Sequence, residues 1–208
     1  MASPTARAGQ ALDRTARLPH DVAAGVSTEQ FIEALGRRRA TGEVAKRAEL
    51  VEACLAQLGE WGAQRVLIPN EPELDEFDLA AQLAGTHYEV LTWPTGHGWR
   101  DLLGLDDAPP TCAITVPRLG VAERGTVVIE ASTTHGRSLD AIGWWHLSIL
   151  FEERIRPTLA AALNETYSGR TPPSAASLVS GPSRSSDVEK ITTYGAHGAL
   201  AEHVIVVR

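Results

Sequence analysis

Short apolar runs of strand length alternate along this chain with segments whose apolar residues recur every three or four positions. Ser27 with Gln30 three places on is a capping-box pattern, and it predicts a helix through about Arg39 with Phe31 and Leu35 one turn apart. Val44, Ala48, Val51, Leu55 and Leu58 hold helical spacing, which predicts a second helix from Glu43 to Trp61, stopped by Gly62. Arg65–Pro69 (RVLIP) reads as a buried strand, 74–83 as a helix and 88–91 as a strand. The stretch 93–110 is rich in glycine and proline and reads as a loop with one helical turn over 99–103. Further strands are expected over 113–116, 126–131, 147–151, 177–179 and 203–207, with helices from Ser138 and over 156–165. Helices alternating with apolar strands predict an α/β fold, a mostly parallel sheet covered by helices.

Composition sets the scale. The chain has 208 residues, 43% hydrophobic and 22% charged, enough apolar material for one α/β domain over 27–208. Residues 1–26 carry Arg7, Arg14 and Arg17 against the acids Asp13 and Asp21, and read as a flexible N-terminal arm without the apolar stretch of a secretory leader. No apolar run approaches the length of a membrane span. A net charge of −7 argues against a nucleic-acid surface and for an acidic protein acting on small molecules or other proteins. Cys54 and Cys112, the only cysteines, are too few for an iron–sulfur cluster or a cysteine-based zinc site. Both read as small buried hydrophobes in a protein of the reducing cytoplasm. The histidines form no HxH or HExxH array and no GxSxG elbow occurs, so neither a metal site nor a serine triad is expected.

Three loops beside predicted strands carry the polar groups, and in parallel sheets ligands bind beyond the strands' carboxyl ends. In the first, Glu123 and Arg124 sit before Gly125 and Thr126, a base and an anion clamp or two solvated charges on a turn. The second, Ser132 to Ser138, holds Gly136 and Arg137 before the helix expected from Ser138, whose N-terminus would favour an anion; a simple helix cap is the alternative. The third runs Ser180, Gly181, Pro182, Ser183, Arg184, Ser185, Ser186, Asp187 and leads to Gly195-Ala196-His197-Gly198. Gly181 would let backbone approach a ligand, the serines would donate to it, and His197 between two glycines is a candidate proton carrier. His146, behind Trp144 and Trp145, reads as a structural hydrogen-bonding residue.

Taken in order, Ala113–Val128 (AITVPRLGVAERGTVV), Gly136–Arg137, His146 with its strand, Arg156–Leu163 (RPTLAAAL), Ser180–Glu189 (SGPSRSSDVE) and Gly195–Gly198 (GAHG) before a final HVIVV resemble the LUD-domain family, the lactate-utilisation protein C group. The likeness covers 111–208 closely and the first half only by element order. It implies a three-layer α/β/α sandwich like that of ribose-5-phosphate isomerase and the CoA transferases. It also implies an accessory subunit of an L-lactate oxidation system, with iron–sulfur clusters carried by cysteine-rich partner subunits and no cofactor in this chain. Arg124 stands where the family usually has threonine, and Ala199 where it usually has proline.

The expected site follows: Glu123 and His197 as proton-transfer groups, with Arg124, Thr126, Gly136, Arg137, Ser180, Gly181, Ser183 and Asp187 around a small carboxylate or phosphate. The alternatives are a stand-alone enzyme on a sugar phosphate or folate-type substrate, and a regulatory or structural protein with a vestigial pocket.

Overall fold

The computed structural model describes residues 27–94, 109–186 and 192–208; the arm expected over 1–26 and the helical turn over 99–103 lie outside them. Among the described residues the strands are β1 (Thr41–Ala45), β2 (Arg65–Pro69), β3 (Glu89–Trp93), β4 (Thr111–Thr115), β5 (Leu119–Val121), β6 (Thr126–Glu130), β7 (Trp145–Phe151), β8 (Ile155–Arg156), β9 (Ala176–Val179), β10 (Arg184–Ser186), β11 (Thr192–Tyr194) and β12 (Ala201–Val207). The α-helices are α1 (Thr28–Arg37), α2 (Leu50–Trp61), α3 (Leu79–Ala84) and α4 (Leu159–Tyr167).

Six strands form one sheet in the order β1-β12-β7-β4-β2-β3, and every neighbouring pair in it is parallel. The chain is thus an α/β protein built on a parallel sheet, as its alternating elements predict. Side chains alternate between the two faces. Ile205 and Val207 of β12, Leu147, Ile149 and Phe151 of β7, and Cys112 and Ile114 of β4 point to α2 and α3 and bury Leu50, Cys54, Leu58, Leu79 and Leu83. The opposite face carries Val204, Val206 and Leu150 against Phe31 and Leu35 of α1 and Val127 and Ile129 of β6.

That second face is covered by more than helix. A four-stranded sheet, β8-β5-β6-β9, lies over it, and α4 closes the outer side through Leu159 and Ala162 on Leu119, Val121 and Val128. The layers are therefore helices, parallel sheet, mixed sheet with α1, and α4. A hairpin of β10 and β11 stands apart from both sheets.

Several local expectations change. Thr41–Ala45 is a strand, not the start of the second helix, because it pairs in register with His203–Val207 along the edge of the sheet; the helix begins at Leu50. The helix expected from Ser138 does not form. Residues 131–144 run irregularly across the sheet face instead, pinned by Leu139 and Ile142 on Leu67 and Ala113. The 74–83 segment divides at Asp78, which sits in the left-handed region between a 3₁₀ turn and α3. Arg156 belongs to β8, so the following helix starts at Leu159, where the Thr158 hydroxyl accepts the Ala161 N–H.

Two glycines of the same backbone class separate conformational strain from crowding. Gly62 ends α2 at φ +67° with nothing within 4 Å of where a β-carbon would stand. Gly125, at φ +59° in the β5–β6 turn, would place a β-carbon against the backbone of Ala34 and Leu35 in α1. Gly62→Ala carries only the left-handed penalty, about 1 kcal/mol. Gly125→Ala adds a clash with backbone that cannot yield, and the expected loss exceeds about 2 kcal/mol by urea unfolding. Equal losses at the two positions would contradict this docking of the turn on α1.

Candidate functional site

The cavity that gathers most of the polar loops has a volume of about 230 Å³ and lies at the amino ends of β7 and β12. These loops therefore meet at the amino ends of the two strands, not beyond the carboxyl ends where they were expected. Ser180, Gly181 and Ser183 wall one side; Asp140 and Ala141 of the 131–144 segment wall another; His197, Gly198 and Ala199 come from the turn before β12. His146 and Glu202 form part of its lining from the sheet itself.

Local hydrogen bonds hold this wall. The Ser180 hydroxyl lies 2.5 Å from that of Thr126, joining the end of β9 to β6. Gly181 adopts φ +90°, where only glycine fits against the Arg38 carbonyl at the end of α1. The Ser183 N–H donates to the Ala199 carbonyl at 2.9 Å, and the Gly195 N–H donates to the Ser183 carbonyl at 3.0 Å. The Ser183 hydroxyl accepts the His197 N–H at 3.2 Å. The serine loop and the GAHG turn are thus one structure.

Two ionisable groups line the cavity from the sheet, and the sequence reading assigned neither a chemical role. Register places Glu202 of β12 directly beside His146 of β7, at 2% and 1% exposure. One Glu202 oxygen, Oε2, accepts the Gly181 N–H at 2.5 Å. The other, Oε1, lies 3.8 Å from His146 Nδ1, beyond hydrogen-bond reach, and both atoms are buried without a partner. On its far side the imidazole is held by Thr115, whose Oγ1 is 2.9 Å from Nε2, and by the Ser148 hydroxyl at 3.3 Å. Both hydroxyls are able to donate to Nε2, and the tautomer that uses them carries the ring proton on Nδ1, facing Glu202. Burial pushes the Glu202 carboxyl up to about 7, with Asp140 adding to the rise and the Gly181 N–H opposing it. Burial holds the His146 imidazole down at about 3, so the ring is neutral. His135, 1% exposed on the same segment as Asp140, is also held below its ordinary value by burial. Its Nδ1 donates to the Gly136 carbonyl at 3.2 Å.

The expected residues divide. Ser180, Gly181, Ser183 and His197 line the cavity, and Thr126 supports it through Ser180. Glu123 and Arg124 do not: a Glu123 oxygen accepts the Leu159 N–H at 2.8 Å, capping α4, and Arg124 lies 3.6 Å from the same carboxylate. Gly136 packs on the Trp93 indole, and Arg137 is exposed away from the lining. With no helix at Ser138, the anion site expected at its N-terminus has no helix dipole behind it. Asp187 lies outside the described residues. Other cations stand near instead. Arg38 adjoins Gly181, Arg39 donates to the Tyr194 hydroxyl and stacks 5.4 Å over its ring, and Arg184 pairs with Tyr194 across the hairpin. None of these three makes an ion pair with a described residue.

The buried acid has a thermodynamic signature. From about pH 4.5 to 7 the unfolded chain has released the Glu202 proton while the folded chain keeps it, so this group lowers stability as pH rises. The full effect is roughly 3 kcal/mol. His146 acts oppositely: between about pH 3 and 6.5 the unfolded ring is charged and the folded ring is not, so stability rises with pH. Glu202→Gln removes only the first contribution. Its unfolding free energy relative to the native chain should climb between pH 5 and 7.5 in urea titrations; a difference constant with pH contradicts the assignment.

A family model described as the LUD domain matches residues 28–207. Lactate utilization protein C of Halalkalibacterium halodurans is 30% identical over 154 residues, covering 72% of this chain and 65% of that protein, just under two thirds of its length. Lactate utilization protein C of Geobacillus kaustophilus is 30% identical over 172 residues, covering 77% of this chain and 69% of that protein. Among solved structures, the crystal structure of a DUF162 family protein from Deinococcus radiodurans shares the fold, with a TM-score of 0.57 at 23% identity over 86% of this chain and 95% of that one. The segments that wall the cavity, SGPS and GAHG, are among those on which the resemblance rested, and the chain belongs to the LUD domain family.

Proposed function

We propose that this chain serves lactate utilisation as the subunit without iron–sulfur clusters, working beside cysteine-rich partners in the cytoplasm and holding a small anionic metabolite in the cavity at the amino ends of β7 and β12. The observation that carries the reading is the 30% identity to proteins named lactate utilization protein C over most of the chain, joined to a cavity walled by the SGPS and GAHG segments. The two cysteines, Cys54 and Cys112, are both fully buried in the core, and burial drives both thiols upward, Cys54 to about 12. Neither is available as a thiolate ligand, which supports assigning the iron–sulfur clusters to other chains. Arg38 adjoins the Gly181 turn, and Arg39 and Arg184 both meet Tyr194 of the hairpin. Three cations without ion-pair partners among the described residues thus stand near the loops that wall the cavity, which supports capture of an anion by a chain of net charge −7.

Deletion of the gene tests the role in the cell. Growth on L-lactate as sole carbon source should fail while growth on pyruvate continues, and a copy of the gene should restore it. Undiminished growth of the deletion strain on L-lactate would remove the reading.

A further inference from the structure

Two residues of the cavity lining leave an unmet hydrogen-bonding demand of a specific kind. Glu202 Oε1 and His146 Nδ1 are both buried and unpartnered, 3.8 Å apart. An oxygen placed about 2.8 Å from each would lie within reach of both. Toward Nδ1–H that oxygen must accept a hydrogen bond; toward an ionised Glu202 it must donate one. A hydroxyl does both. A carboxylate or phosphate oxygen only accepts, and set against Glu202 it would bring like charges together in a water-poor site. The wall formed by the serine loop has a different character: the hydroxyls of Ser180 and Ser183 can donate to an anion, with Arg38 adjoining the Gly181 turn, while Asp140 lies on the wall formed by the 131–144 segment. At about 230 Å³ the cavity has room for several water-sized groups, so both ends of a small molecule fit at once.

We propose that the cavity is built for a small hydroxy acid, its hydroxyl seated between Glu202 and His146 and its carboxylate directed to Ser180 and Ser183. This rests on the reading that the cavity holds the anionic metabolite, and adds which chemical class it is and which way round it lies. The two ends are set by different physics. Ser180 and Ser183 recognise any small anion, whereas the Glu202–His146 pair selects the hydroxyl. Protonation of Glu202 changes the selection, because a protonated carboxyl donates and then suits a carbonyl oxygen. The groups that face this carboxyl are His146 from β7, Asp140 from the 131–144 segment and the Gly181 N–H after β9. An oxo acid should therefore gain on the hydroxy acid as pH falls through neutrality.

Glu202→Gln makes the same change at fixed pH. The glutamine oxygen can still accept the Gly181 N–H, and its amide nitrogen then takes the place of Oε1 as a donor. The test uses the purified full chain and calorimetric titration with L-lactate, propionate and pyruvate at pH 6 and pH 8.5. At pH 8.5 the native chain should bind L-lactate about tenfold more tightly than propionate, the effect of one hydrogen bond to a charged acceptor. In Glu202→Gln the lactate-to-propionate ratio should fall toward one and pyruvate should overtake lactate. Ser183→Ala should weaken all three acids together and leave the ratios alone. Equal affinity of the native chain for lactate and propionate overturns the proposal while leaving an anion site standing. A ratio unmoved in a folded Glu202→Gln variant overturns it as well. Binding of none of the three removes both this and the anion reading of the cavity, and growth on L-lactate then decides the cellular role separately.

Discussion

The parallel pairing of β12 between β1 and β7 is the constraint on which the cavity depends. The last strand of the chain enters the interior of the sheet, and its register sets Ala201 beside Trp145 and Glu202 beside His146. Side chains on a strand alternate, so Glu202 shares a face with Val204 and Val206 while His203 turns to the other. On that other face His203 meets the Thr41 hydroxyl at 2.7 Å and the edge of Trp61. A slip of one residue would exchange the two, sending the carboxyl among the helices and the imidazole into the seam between the sheets. The apolar stretch from Val204 to Val207, fully buried on both faces, is what forbids the slip.

The same alternation creates the electrostatics. Along the inner face, β12 runs Glu202, Val204, Val206 and β7 runs His146, Ser148, Leu150, so the seam changes from polar to apolar in three rows. The apolar rows meet α1 and β6 and exclude water. The polar rows border that dry region, which is why one carboxyl is pushed up to about 7 and one imidazole down to about 3 within a single row. Thr115 and Ser148 satisfy the imidazole from the sheet side, and the Gly181 N–H satisfies half of the carboxyl from the loop side. Only the facing atoms of the pair are left without partners.

Much of this was legible in the sequence, and the misses have physical causes. The apolar runs RVLIP and HVIVV marked central strands because burial on both faces leaves no polar alternation to confuse with a helix. Thr41–Ala45 was hidden: as an edge strand it is mostly exposed, and Val44 happens to continue the helical spacing of the segment after it. The 131–144 segment was read as a cap and helix because hydroxyl residues precede Leu139 and Ile142 at helical spacing; what those two side chains do is anchor an irregular crossing of the sheet. For the site, glycine and serine turns were the visible signal and led to Ser180, Gly181, Ser183 and His197. Glu123 was misplaced because a carboxylate beside a glycine turn looks the same whether it faces a ligand or caps a helix 36 residues later. Glu202 carries a signal of its own: an acid two residues before the apolar run Val204–Val207 is costly to bury and so needs a reason.

The amino-end cavity and the usual carboxyl-end crevice differ in the charge of their linings. A cleft of about 290 Å³ does exist at the carboxyl ends of β2 and β3, larger than the cavity at Glu202. It is lined by Glu71, Asp75 and Asp78 with no basic residue among its lining. The 131–144 segment is tied across its edge, the Asn70 N–H donating to the Thr134 carbonyl and the Thr134 hydroxyl to Glu71. Three carboxylates with no basic residue among the described lining make that cleft a poor host for an anion. At the other end the lining holds two acids, Asp140 and the buried Glu202, of which Glu202 keeps its proton up to about neutral pH. The hydroxyls of two serines border the space, and three arginines without ion-pair partners among the described residues stand beside the turn and hairpin. The carboxyl-end cleft is the larger of the two, whereas the amino-end cavity is the one that the serine loop, the GAHG turn and the irregular crossing of residues 131–144 enclose together, because Leu139 and Ile142 anchor that crossing on the sheet and bring Asp140 to the lining.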